Sequence, residues 1–201
     1  LRAKASIENL NLRDVDVTGF DFSGFTNLKI LNLIGTKGLT AAQFNAIPSR
    51  AKASIEELDL RGVDVTGFDF SGFTNLKSLD LNNAQGLSAT QINELPLESK
   101  ASIEIIGLTG MNVTGLNFSE FTKLKGLFLG NTRGLISAQF NSITLKSLES
   151  LNLENVNVNG FDFYGLTCLE RIFLTGVRNL TDDQYKTFSE EVKKFLFENE
   201  L

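Results

Sequence analysis

Apolar residues recur along this chain in one short pattern: an apolar position is followed by two more at +3 and +5, and the positions between are polar or small. The first instance is Ile7, Leu10 and Leu12, continued by Val15 and Val17. A second form of the pattern runs Leu28, Leu31 and Leu33, then Thr36 and Leu39. Strict alternation over three or four residues predicts a short strand with one buried face. Such starts fall at Ile7, Leu28, Ile55, Leu76, Ile103, Leu124, Leu148 and Leu169, so eight strands are expected. A strand repeated every 21 to 27 residues, with a return segment between copies, predicts a stack in which neighbouring strands pair in parallel.

Self-comparison shows a longer period. Ser54 to Leu76 repeats Ser6 to Leu28 almost letter for letter at a spacing of 48, and the pattern returns at Ser102 and, after 45, at Ser147. Each long module therefore holds two kinds of unit. After Val17 the first kind continues Thr18-Gly19-Phe20-Asp21-Phe22-Ser23-Gly24-Phe25, where glycines and closely spaced aromatics predict a tight irregular loop rather than a helix. Its phenylalanines align between modules as a spine: Phe20, Phe22 and Phe25, then Phe68, Phe70 and Phe73, then Phe118 and Phe121, then Phe161 and Phe163. Core packing is the expected role of that spine. In the second kind, Thr40-Ala41-Ala42-Gln43-Phe44-Asn45-Ala46-Ile47-Pro48 predicts an N-cap, two helical turns and a proline stop, with Ser88, Ser137 and Thr181 as the matching caps.

The Leu-x-x-Leu-x-Leu core and these unit lengths resemble the leucine-rich-repeat family over nearly the whole chain. The resemblance implies an α/β solenoid: a curved array with a parallel β-sheet on its concave face and short helices and irregular loops on its convex face. The second units are similar to the cysteine-containing repeats of F-box substrate adaptors, without the cysteine. The Asn or Cys that often follows the family's core motif is replaced by Val15, Val63, Met111 and Val156 in first units, and by Thr36, Ala84, Thr132 and Val177 in second units. Loop carbonyls and amides normally served by that ladder must then find other partners. A pentapeptide-repeat β-helix is the weaker fold reading, because Phe-Asp-Phe-Ser-Gly fits its consensus only once per module.

The array is expected to span residues 1–180, and 181–201 to form a C-terminal capping helix. There Thr181-Asp182-Asp183 starts a helix with acids in its first turn, and Tyr185, Phe188, Val192, Phe195 and Leu196 make an apolar stripe. At the other end, residues 2–6 repeat residues 50–54, which reads as an array opening inside a repeat connection, as in a fragment or an uncapped first unit.

Composition removes several functions. Nineteen Lys and Arg against 24 Asp and Glu give a net charge of -5, the wrong sign for a phosphate-neutralising surface, so no nucleic-acid partner is expected. No apolar run is long enough for a membrane span. With no histidine and a single cysteine, Cys168, no disulfide, no His/Cys metal cage and no cofactor are expected, and an enzyme would have to work with carboxylates alone. The Asp59 and Asp80 pair on adjacent strands sits beside Arg61 on an open sheet without a pocket. The Asp16, Asp64, Asn112 and Asn157 series fits turn capping better than calcium binding.

The outward strand positions carry the remaining chemistry. One row, Glu8, Lys29, Glu56, Lys77, Glu104, Lys125, Glu149 and Glu170, alternates in sign until its last pair and reads as a register-setting charge ladder. A second row, Asn11, Asn32, Asp59, Asp80, Gly107, Phe128, Asn152 and Phe173, is polar in one half of the array and aromatic in the other. Phe128 and Phe173, with Ile105, Asn152, Arg171 and Glu154 around them, have the composition of an interaction hot spot. The expected function is protein recognition on the strand face by a monomer, with an unidentified protein partner. The alternative is the targeting domain of a larger bacterial secreted effector or surface protein.

Overall fold

The computed structural model describes residues 2–199, with side chains described for 4–198. Eight three-residue strands form one parallel sheet in chain order: β1 (Asn9–Asn11), β2 (Ile30–Asn32), β3 (Glu57–Asp59), β4 (Ser78–Asp80), β5 (Ile105–Gly107), β6 (Gly126–Phe128), β7 (Ser150–Asn152) and β8 (Arg171–Phe173). The register matches the repeat position for position, so Leu10, Leu31, Leu58, Leu79, Ile106, Leu127, Leu151 and Ile172 form one continuous inward row. The expected solenoid with a parallel sheet is the observed fold.

Return segments alternate as the two kinds of unit predict. First units have no helix and close through turns. Each second unit carries a short helix after its strand: α2 (Ala41–Asn45), α4 (Ala89–Asn93), α6 (Ser137–Phe140) and α7 (Asp182–Lys186). Pro48 does not end helical structure there. It stands at the N-cap of a further helix, α3 (Ser49–Ser54), and Pro96 does the same for α5 (Leu97–Ser102); α1 (Arg2–Ala5) matches them. Proline lacks a donor, and the first helical amides need none from within the helix, so this site suits it.

Ser137 is not a cap. Ile136 stands at the N-cap of α6, where its side chain has no oxygen to offer, whereas Thr40, Ser88 and Thr181 accept from the N3 amides of Gln43, Gln91 and Gln184. The repeat aligns Ile136 with Thr40 and Ser88, so the cap position falls one residue before the Ser137 hydroxyl.

The phenylalanine spine is the core. Phe22, Phe70, Phe73, Phe118, Phe121 and Phe163 are fully buried, and Phe44 and Phe140 join them from the second units, stacked on Phe68 and Phe161 at 4.1 and 4.3 Å between ring centroids. Phe20, in the first module, is only half-buried. After each strand one residue is left-handed (Asp14, Gly35, Gly62, Asn83, Gly110, Asn131, Asn155, Gly176, with φ between 57° and 78°), which restricts that turn to Gly, Asn or Asp.

The C-terminal segment is two helices rather than one. α7 completes the last second unit, and α8 (Glu190–Asn199) follows a break at Thr187–Ser189 and packs against β8, with Val192 and Leu196 buried. Glu200 and Leu201 lie outside the described residues.

Candidate protein-binding face

The ladder of loop partners missing from the family's usual position is supplied by glutamine. Gln43 Nε2 donates to the carbonyls of Val17 and Phe20 at 2.8 and 3.1 Å, and Gln91, Gln139 and Gln184 repeat both bonds in the next three modules. Each glutamine also accepts from the cap amide of its own helix, Thr40, Ser88, Ile136 or Thr181. One side chain thus ties a second-unit helix to the loop of the unit before it, which holds the strand face at fixed spacing.

On that face the charge ladder forms within modules. Glu8 pairs with Lys29 at 3.5 Å, Glu56 with Lys77 at 2.6 Å and Glu104 with Lys125 at 2.8 Å, while the fourth module presents Glu149 and Glu170, which cannot pair. Hydrogen bonds from Lys77 and Lys125 hold the Glu56 and Glu104 carboxyls below the ordinary range. These pairs are exposed, so each contributes only a few tenths of a kcal/mol.

The middle row has a structural duty that explains its polar members. Asn11, Asn32, Asp59, Asp80 and Asn152 each accept, through Oδ1, the amide two residues ahead, closing the turn that leaves the strand. Gly107, Phe128 and Phe173 cannot make that bond. At Gly107 the duty passes to Asn82, whose Oδ1 accepts the Thr109 amide at 2.7 Å. The row therefore gives up its turn cap at three positions, all in the second half of the array.

The same half holds a shallow depression of about 290 Å³ lined by Ile105, Phe128, Arg171 and Phe173, over a floor of Gly126 and Ser150, with Glu104, Lys125 and Glu149 at its edge. A Cβ on Gly126 would stand 3.3 Å from the Phe128 ring and 3.5 Å from Ile105, so this glycine lets the ring lie across the strand. Ile105 is 44% exposed. Arg171 makes no ion pair among the described residues.

Four of the six residues singled out by sequence meet here; Asn152 and Glu154 do not. Asn152 Nδ2 donates to the Glu154 carboxylate at 2.7 Å, and its Oδ1 closes the turn, so the two are engaged with each other beside the depression rather than in its floor. Phe173 also has a neighbour that its strand position does not reveal. The Phe195 ring of α8 meets it at 5.6 Å and 89°.

The carboxylates of the polar half form an ion cluster. Arg61 reaches Asp59 at 2.8 Å and Asp80 at 3.4 Å, beside a hollow of about 130 Å³. Burial, opposed by the Asn82 amide bond and reinforced by the Asp59 charge, pushes the Asp80 carboxyl up. Asp16, Asp64, Asn112 and Asn157 accept amides two residues ahead, as turn caps do. Among the described residues no three acidic or cysteine side chains gather as a metal site would need, and no helix is long and apolar enough to cross a membrane.

No protein-family model and no curated protein sequence matches the chain. Solved structures do. A leucine-rich-repeat protein of Leptospira interrogans superposes with a TM-score of 0.59 at 19% identity, over 85% of this chain and 43% of that one. The functional domain of InlJ from Listeria monocytogenes, which includes a cysteine ladder, superposes with a TM-score of 0.54 at 16% identity, over 92% of this chain and 48% of that one. The chain thus spans less than half the length of either structure, and it has their leucine-rich-repeat fold.

Proposed function

We propose that this chain is a recognition module that binds a protein partner on the strand face of β5 to β8, with Phe128, Ile105 and Arg171 as its main contacts and Phe173 as the far wall. The carrying observation is the surrender of the turn cap at Phe128 and Phe173. Five positions of that row do a structural job, and the two aromatic ones replace it with partly exposed rings around a depression that Gly126 keeps open. Aromatic and Arg side chains around an apolar hollow are what binding hot spots are made of. Asn152 and Glu154 belong to the rim of the site through their mutual hydrogen bond. The repeat supports recognition rather than catalysis: the hydroxyl of Thr66, which donates to the Asp64 carboxylate at 2.6 Å, belongs to an exposed turn cap and faces no pocket.

A photo-crosslinking side chain placed at Ile105 tests this, with the same group at Tyr164, 82% exposed on a return loop, as the control. A partner adduct from position 105 but not 164, weakened about 30-fold in affinity by Phe128→Ala, is the expected result. Adducts only from position 164, or binding unaffected by Phe128→Ala, would move the site to the loops.

A second reading rests on the bacterial origin and greater length of both similar structures. On that reading the array is the targeting part of a larger bacterial secreted or surface protein, and the same face does the targeting. Crosslinking in a bacterial host, against the full-length gene product, tests it.

A further inference from the structure

We propose that the partner segment bound on the β5 to β8 face carries an apolar or aromatic side chain beside a basic residue, arginine above lysine, which supplies the cation that the charge ladder lacks in the fourth module. The inference rests on the strand-face reading and adds the chemistry of the partner. It comes from comparing the fourth module with the three before it.

In each of those three modules one acid and one lysine face each other on neighbouring strands: Glu8 and Lys29, Glu56 and Lys77, Glu104 and Lys125. The fourth module has Glu170 where the lysine stands. The amide of Glu170 donates to the Glu149 carbonyl at 2.8 Å, so the two acids leave the backbone side by side, one strand spacing apart. Like charges placed opposite each other on paired strands are unfavourable. Neither nearby cation closes on them. Lys125, on the strand before Glu149, pairs with Glu104 at 2.8 Å. Arg171 turns to the depression and makes no ion pair among the described residues.

Two features join this charge to the apolar hollow. Glu149 stands at the edge of the depression of about 290 Å³ whose walls are Ile105, Phe128 and Phe173. Ser150, the next residue, lies in its floor and is 8% exposed, and its hydroxyl has no hydrogen-bond partner among the described residues. A nearly buried hydroxyl ordinarily has one, so the floor offers a peptide amide or carbonyl a place to pair.

These groups specify the occupant. Phe128 and Ile105 take an apolar side chain, Ser150 pairs with the main chain beside it, and the adjoining residue lies over Glu149 and Glu170. Arginine suits two carboxylates on adjacent strands better than lysine does, because its planar fork of donors can serve both while an ammonium is a point charge. An acidic residue there would meet Arg171 but bring a third negative charge beside Glu149 and Glu170.

Random peptides displayed on phage and selected on the whole chain test the proposal. Enriched peptides are then measured by calorimetry on the parent, Phe128→Ala and Glu170→Lys. The second variant restores the rung found in the other modules, so it should unfold at no lower temperature than the parent. The enriched peptides should carry an aromatic or aliphatic residue next to an arginine or lysine. Their affinity should fall about 30-fold in Phe128→Ala and about tenfold in Glu170→Lys. Peptides weakened by Phe128→Ala but lacking a basic residue, rich in acids or indifferent to Glu170→Lys overturn the proposal and leave the strand-face reading standing. Peptides indifferent to Phe128→Ala overturn both. A selection that enriches nothing overturns the proposal alone, since the face then takes no short apolar and basic segment, and crosslinking from position 105 still decides the reading beneath it.

Discussion

The Phe195 ring meets the Phe173 ring edge-on, with centroids 5.6 Å apart and planes at 89°, so the last strand and the last helix share an aromatic contact at the border of the strand face. Phe173 is therefore both a wall of the depression and a support for α8. Edge-to-face pairs contribute about 0.5–1.5 kcal/mol beyond the area they bury. Phe195→Ala and Phe173→Ala should each lower stability, and their double-mutant cycle should show a coupling of about 1 kcal/mol by urea midpoint. Strict additivity would show that the rings do not support each other. For the same reason Phe128→Ala, not Phe173→Ala, separates binding from folding.

The glutamine ladder should be costly to break. Gln139 Nε2 donates to the Val113 and Leu116 carbonyls at 2.7 and 2.9 Å, and both lie inside the stack, where water does not easily replace it. Gln139→Ala leaves two acceptors unmatched and is expected to cost about 1–3 kcal/mol. Gln139→Glu at neutral pH should be at least as harmful, since a carboxylate would face two carbonyls. A urea midpoint unchanged in either variant would show that these bonds do not hold the units together.

Ile136 stands where the other second units have Thr40, Ser88 and Thr181, and it is 57% exposed, so it gives neither a cap nor a buried contact. Ile136→Thr supplies a hydroxyl to the Gln139 amide. Replacing a non-capping residue with a capping one is expected to stabilise by about 0.5–2 kcal/mol. Thermal unfolding checks this, and a lower midpoint would mean that Ile136 has a contact worth more than the cap.

How legible this was in the sequence depended on whether the signal repeated. The row from Leu10 to Ile172 and the Phe70 and Phe118 spine recur at fixed spacing and lie in the structure where the pattern puts them. The glutamines at 43, 91, 139 and 184 recur as well, but their spacing does not show that a polar side chain three residues into a helix turns back to carbonyls 26 residues earlier. Contacts made once, between residues far apart in sequence, left no repeating trace: Phe195 against Phe173, and Asn152 with Glu154 beside the depression rather than in it. Pro48 misled because a proline that ends one helix also opens the next, and only the strand spacing that follows tells the two apart.

Asp80 supplies a test in which pH carries the sign. Burial pushes its carboxyl up, with Asp59 beside it adding to the shift, while the Asn82 amide and Arg61 oppose it. A carboxyl whose folded-state affinity for a proton exceeds the unfolded one adds stability while it is protonated. That contribution is complete below the unfolded value, about 3.9 for aspartate, and is lost as pH rises through the higher folded value. The charged form is thus the unfavourable one at neutral pH. Asp80→Asn keeps an oxygen for the Asn82 amide, removes the repulsion with Asp59 and leaves Arg61 paired to Asp59 at 2.8 Å. The variant should be more stable than the parent at pH 7, with the gain shrinking on acidification and gone below about pH 4. Urea midpoints at pH 7, 5 and 3.5 measure the difference. A loss of stability at pH 7 that fades toward low pH would mean that the Arg61 attraction outweighs burial and repulsion together.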